Sequence, residues 1–223
     1  MSGRVADAVL IAIERSTACG SAALFSSDGT LMGSVEDNHR GQGDAFGLVR
    51  ALLEKTGVDL TSVDGFAVGI GPGSFSGIRS AIAVLSGLAL PIGATIRGVS
   101  SAAATAAVFR IQNPGAGLVA VVGDARRGHI WVSLLEAGSS GSHTVNDFCL
   151  VDRTALAMSI PGHAAVVTPD GERLSALLAA DFAPERVHFM NPTAEAVGKL
   201  ALAGCSGTAL PIYLHPAVMP PIR

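Results

Sequence analysis

The run Gly71-Pro-Gly-Ser-Phe-Ser-Gly77 has the residue types that could cradle an anion. Three glycines and two serines lie between the apolar segments 64–70 and 78–90, which is the strand, tight loop and helix layout of a phosphate site. Position by position it misses each phosphate pattern. A Walker loop needs Lys after its last glycine, and here Ile78 follows Gly77; counted as G-x-G-x-x-G, the last position is Ser74 from Gly69 and Ser76 from Gly71. A nucleophile elbow would need serine where Phe75 stands. The spacing does suit a structural turn built on Gly71, Pro72, Gly73, Ser74 and Gly77, with Ser74 as the helix N-cap.

The remaining reactive residues make weaker constellations. His39, His129, His143, His163, His188 and His215 never occur as H-x-x-x-H or H-E-x-x-H, so a helical metal pair is missing. Cys19, Cys149 and Cys205 lie far apart without C-x-x-C, which argues against a disulfide framework or zinc site and points to buried free thiols. Glu14 and Asp124 stand at the ends of expected strands. Each could face a metal-nucleotide or a carbonyl, or could simply cap a turn, with Arg126 and Arg127 beside Asp124. No catalytic, cofactor or metal residue is expected from these patterns.

The elements that carry these residues follow an α/β order. Segments 9–13, 21–25 and 31–35 read as a strand meander with a hairpin signal at Asp28-Gly29, and 45–55 as a helix stopped by Gly57. A buried strand over 64–70, the glycine loop, a helix over 75–90 and a strand over 95–99 complete a first lobe. Leu118–Val122, a polar turn and His129–Leu135 repeat the opening unit about 110 residues later, so two related lobes are expected, 1–100 and 101–223, with the C-terminal tail able to pack back on the first. In the second lobe, 174–180 and 194–203 read as helices, 164–168 as a strand, and the Gly/Ser-rich stretch 136–147 as a loop.

Composition narrows the class. With 223 residues, 49% hydrophobic content and a net charge of −3, the chain has ample core and no strongly basic face for nucleic acid. No apolar stretch reaches the roughly 18 uncharged residues of a membrane span, and the first residues lack a signal-peptide pattern, so a soluble cytoplasmic protein is expected.

The helix over 75–90 is the most informative element. On a 3.6-residue period Phe75, Ile78, Ile82, Leu85 and Ala89 share a core-facing side, while Ser76, Ser80, Ala83 and Gly87 form a narrow strip almost opposite, and Arg79 is the only charge. A water-facing strip would normally hold Lys, Glu or Gln, so this one reads as a contact surface for another helix. That helix is either the preceding one of the same lobe or a partner's. Phe46, Val49, Arg50 and Leu53 of the preceding helix, with Ser76, Arg79, Ser80, Ala83 and Gly87, are the candidate interface.

Ile11–Thr17, Gly69–Arg79 with Gly87-Leu-Ala89, Gly98–Ser101, Asp124–Gly128 and Pro211–Pro216 together resemble, in order and spacing, the TsaB (YeaZ) family of the glycoprotease group. The resemblance implies an actin-like, Hsp70-like fold of two RNase H-like lobes. It also implies a non-catalytic subunit, without a cofactor of its own, of the complex that makes threonylcarbamoyladenosine in tRNA. The subunit would pair with the catalytic paralogue TsaD or with itself, with TsaE as a further component and tRNA contacted only indirectly. Where the family usually has Asp-Thr-Ser after the first strand, this chain has Glu14-Arg15-Ser16, so a ligand role for that turn does not carry over. A glycoprotease-type metallopeptidase and a sugar-kinase-like ATPase are the alternatives; one needs metal ligands and the other a phosphate loop.

Overall fold

The computed structural model describes residues 8–37, 44–138 and 141–215. The first sheet has the order β11-β5-β4-β1-β2-β3, and its strands are β1 (Ala8–Glu14), β2 (Gly20–Ser26), β3 (Leu31–Asp37), β4 (Gly65–Gly69), β5 (Thr95–Val99) and β11 (Gly207–Thr208). The second has the order β10-β9-β6-β7-β8, from β6 (Val119–Arg126), β7 (His129–Gly138), β8 (Gly141–Asp152), β9 (Ala165–Thr168) and β10 (Val187–Phe189). In each sheet an antiparallel meander is extended by two parallel strands beside its first strand. The repeat legible at one hairpin therefore runs through both sheets.

Helices fill the spaces in alternating layers. The outer face of the first sheet (Ile11, Ile13, Leu24, Phe66, Val68) packs on α1 (Ala45–Thr56) and α2 (Phe75–Ile92). Its inner face (Leu10, Ala12, Phe25, Ala67) shares one core with α3 (Ser101–Gln112), α6 (Ala194–Leu202) and the inner face of the second sheet (Val119, Val121, Trp131, Val167). The outer face of the second sheet (Ala120, Val122, Ile130, Val166) lies on α4 (Leu156–Ser159) and α5 (Gly171–Asp181). Strand alternation explains the layering, because odd and even residues of one strand enter different cores.

The end of the chain returns to the first sheet. In α6, Gly198 is small because a Cβ there would collide with the Phe25 ring. The Ala194 N–H donates to Ser21 Oγ (2.9 Å), and β11 pairs antiparallel with β5. The C-terminal part of the chain thus packs back on the first sheet.

The stretch 136–147, read as a loop, continues β7 and begins β8 within the described residues, and β8 pairs with β7 from Gly138↔Gly141 to His129↔Asp152. The ladder satisfies backbone groups whatever the intrinsic preference of Gly and Ser. The three cysteines are not buried as expected: Cys19 and Cys149 are exposed and Cys205 is half-buried. Cys19 lies in a hairpin turn and Cys149 on an edge strand, both reaching solvent. By length and composition α2 alone among the described helices could cross a bilayer; here it lies along the sheet through Ile78, Ala81, Leu85 and Ala89.

Candidate functional site

The glycine loop joins β4 to α2 and packs on the β1–β2 turn. Gly71 adopts φ +98°, in the region that favours glycine, and precedes a cis bond to Pro72. A Cβ at Gly73 would collide with the Ser16 carbonyl oxygen, and one at Gly77 with that of Arg15. The Ser74 N–H donates to the Ser16 carbonyl (2.6 Å), and Ser74 Oγ accepts the Gly77 N–H (3.4 Å) as the α2 N-cap. The glycines therefore serve a close approach of backbone to backbone. An N-cap of this kind stabilises a helix by about 1 kcal/mol.

Beyond the loop, Gly77, Ile78, Ala81, Leu85 and Ala89 turn inward, while Ser76, Arg79, Ser80, Ala83, Ser86, Gly87 and Leu90 are exposed. A Cβ at Gly87 would meet nothing within 4 Å. The strip is thus open to solvent in the single chain, and contact with α1 does not cover it. On α1, Phe46 and Arg50 are exposed and Leu53 is half-buried, whereas Val49 is only 2% exposed and belongs to the core with Ala45, Leu48 and Leu52. Apolar residues surround more than half of α1, so either of two stripes could have faced the sheet. Phe75 also departs from expectation: it is 50% exposed and stacks on Tyr213 (centroids 5.6 Å apart), with the Arg79 guanidinium 5.0 Å over its ring.

A cleft of about 1630 Å³ separates the β1–β2 turn and the α2 N-terminus from the β6–β7 turn, the β9–α5 segment and residues 211–215. Across it Asp124 accepts the Arg126 N–H (3.0 Å) and pairs with Arg126 (3.4 Å) and Arg153 (3.3 Å). Of the two arginines beside it in sequence Arg126 reaches the carboxylate, and Arg153 comes from just past the end of β8. The Asp124 N–H donates to the Asp170 carboxylate (2.9 Å), whose titration burial pushes upward against that bond and against Arg173. Glu14 is wholly buried at the matching end of β1. Loss of solvent raises its carboxyl above the usual range, opposed by the Ser16 N–H and the Ser101 hydroxyl.

Among the described residues no three His, Cys, Asp or Glu side chains gather as metal ligands. His129 contacts the Arg127 carbonyl, His188 stacks on Phe109, and His215 contacts the Ala125 carbonyl (2.7 Å). His39 lies outside the described residues. Ser101, Asp170 and Tyr213 were missed by pattern reading, since each meets its partner from a distant part of the chain.

Two sheets of one strand order, joined through a shared helical layer and parted by a cleft, define the actin-like, Hsp70-like class with RNase H-like lobes. Residues 38–193 match the family model described as TsaD, tRNA N6-adenosine threonylcarbamoyltransferase. The Escherichia coli K12 tRNA threonylcarbamoyladenosine biosynthesis protein TsaB is 31% identical over 133 residues, covering 59% of this chain and 57% of that protein, so the match spans little more than half of its length. The solved YeaZ of Pseudomonas aeruginosa superposes with a TM-score of 0.74 at 26% identity, over 92% of this chain and 99% of that one. A second Pseudomonas aeruginosa structure, described as an uncharacterized protein with similarity to peptidase YeaZ, gives 0.74 at 25% identity with the same coverage. The chain belongs to the threonylcarbamoyltransferase family of that model, on its TsaB (YeaZ) side.

Proposed function

We propose that this chain is a non-catalytic scaffold and activator of the complex that transfers a threonylcarbamoyl group to adenosine next to the anticodon of tRNA, and that it acts by dimerising with the catalytic paralogue TsaD. The observation that carries this reading is the outer face of α2, which exposes Ser76, Ser80, Ala83, Ser86 and Gly87 with Arg79 as the single charge of the helix. Small side chains let a second helix approach to about 8 Å and lose little rotamer freedom on contact. Phe46 and Arg50 of α1 flank this strip in the proposed interface. The same face would hold two copies together when TsaD is absent. TsaE and ATP are further components, tRNA is reached indirectly, and the complex works in the cytoplasm. A scaffold of this kind favours its partner's competent conformation, so its effect appears in the partner's activity.

Depleting the protein and measuring threonylcarbamoyladenosine in total tRNA is the direct test, with a fall in the modification expected. Normal levels after depletion, or turnover of ATP or peptide by the chain alone at about one per second or faster, would sink the reading. Gly87→Arg places a long charged side chain on the open strip. It should weaken both assemblies about tenfold or more without lowering the melting temperature; undiminished co-purification with TsaD removes α2 from the interface.

A further inference from the structure

Glu14 has no part in the exposed face of α2, yet the hydrogen bonds around it lead there. Its carboxylate occupies space that Gly69 leaves open on β4, where a Cβ would collide with it. Oε1 accepts the Ser16 N–H (2.5 Å) and Oε2 accepts the Ser101 hydroxyl (2.8 Å). Ser101 Oγ in turn accepts the Gly71 N–H (3.1 Å), and the Ser101 N–H donates to the Gly71 carbonyl (2.8 Å). At the other end of the loop the Ser74 N–H donates to the Ser16 carbonyl (2.6 Å). These bonds close a ring: Glu14 to Ser101, Ser101 to Gly71, along the loop to Ser74, Ser74 to Ser16, and Ser16 back to Glu14. Ser74 caps α2 and Ser101 is the first residue of α3, so the ring fixes the start of one helix against the start of the other.

We propose that Glu14 is a positioning residue for the docking helix: through Ser16 and Ser101 it sets the glycine loop and the first turn of α2, so that the interior of the chain tunes the face offered to a partner. The coupling to a partner rests on the docking reading given above; the ring does not. Side-chain length is part of the argument, because an aspartate would fall about 1.5 Å short of spanning Ser16 and Ser101 together.

Electrostatics gives the ring a second property. The groups that meet Glu14 are uncharged: Ser21 is its pairing partner on β2, Gly69 lies beside it on β4, and Ser101 comes from α3. The adjoining Arg15 turns to Asp37 of β3 (3.6 Å), Arg79 of α2 is exposed, and no cation opposes the upward displacement of the carboxyl. A carboxyl raised by burial stabilises the fold fully below its ordinary value of 4.5, and that contribution is lost as pH rises through the raised one. The loop should therefore loosen as pH rises.

Amide exchange of the purified chain, corrected for intrinsic base catalysis and followed from pH 5 to 8, tests this in the wild type, Glu14→Gln, Glu14→Ala and Ser101→Ala. Protection at Gly71 and Ser74 should fall with pH in the wild type and stay level in Glu14→Gln, whose amide oxygen accepts the Ser16 N–H and whose NH2 donates to Ser101 Oγ, as a protonated carboxyl would, without ionising. It should be about tenfold lower in Glu14→Ala. Ser101→Ala should deprotect Gly71 more than Ser74. TsaD affinity, measured on the same proteins, should follow the protection of the α2 first turn. Equal protection in all four proteins, or Glu14→Gln behaving as Glu14→Ala at every pH, overturns the proposal, as does the expected exchange pattern with unaltered TsaD affinity. If Glu14→Ala does not fold, Glu14→Gln and Ser101→Ala decide. Wild-type protein that fails to bind TsaD while the exchange pattern holds overturns the docking reading and leaves the ring standing.

Discussion

Glu14 and Asp124 stand at matching ends of β1 and β6, and each accepts the backbone N–H of the residue two further on. Around Glu14 the turn is closed: the glycine loop lies on Arg15 and Ser16, and the carboxyl is wholly enclosed without a counter-cation. Around Asp124 the turn is open: Arg126 and Arg127 take left-handed conformations, two guanidiniums reach the carboxylate, and the cleft lies beside it. One repeated unit has been given to packing and the other left facing solvent. The packed copy supports the start of α2, the helix with the bare outer face, through the Ser16 carbonyl and the Ser74 N–H. Rigid support at its first turn is what a docking helix requires, since a loosely held one would lose more entropy on association.

Placing a side chain against the first turn and another within the second is the strongest way to break this comparison. On helix propensity alone Gly77→Ala would stabilise α2 by about 1 kcal/mol, but its Cβ collides with the Arg15 carbonyl. We expect a net loss of about 3 kcal/mol and a melting temperature lower by about 6–12 °C. Gly128→Ala in the other turn meets no atom within 4 Å and bears only the strain of φ +83°, about 1 kcal/mol. Equal losses in thermal unfolding would erase the distinction between closed and open turns.

A smaller effect comes from Asp124→Ala, which leaves the Arg126 N–H without its acceptor. Urea unfolding should show a loss of about 1–2 kcal/mol, little of it from the guanidiniums, which are roughly half exposed. No change at all would make the second turn a passive connection.

The smallest effect sharpens the comparison through pH. The Asp170 carboxyl is raised by burial, so its stabilising contribution is complete below 3.8 and is lost as pH rises through the raised value. Asp170→Asn should flatten that part of the decline in urea midpoint between pH 4 and 7, leaving the part owed to Glu14. An unaltered slope would assign the decline to the first lobe alone.

The residues that sequence reasoning read well are those whose partners are near in the chain. Ser74 and Gly57 were legible as helix ends because a cap bonds within its own turn, and the strip on α2 was legible because its period lies within one helix. Val49 and Phe75 were misplaced for the complementary reason. Which stripe of α1 faces inward is decided by the sheet, and Phe75 is held by Tyr213, far along the chain. Ser101 and Asp170 act across separations of 87 and 46 residues, which no local spacing reveals. The strand β8 was hidden because an edge ladder can organise Gly and Ser that carry no strand preference of their own.

The return of α6 and β11 to the first sheet sets an order of events during synthesis. Roughly 95 residues separate Val99 from Ala194, and at typical translation rates the ribosome needs about 5–20 s to supply them. Until then the nascent chain holds Leu10, Ala12, Phe25 and Ala67 without the helix that covers them, and β5 without its antiparallel neighbour. Contacts of such long sequence separation form late and slow the final step. Chaperone capture of ribosome-bound chains should therefore persist until the codons for α6 have been read, and a release point just before Ala194 should give the most aggregation-prone fragment.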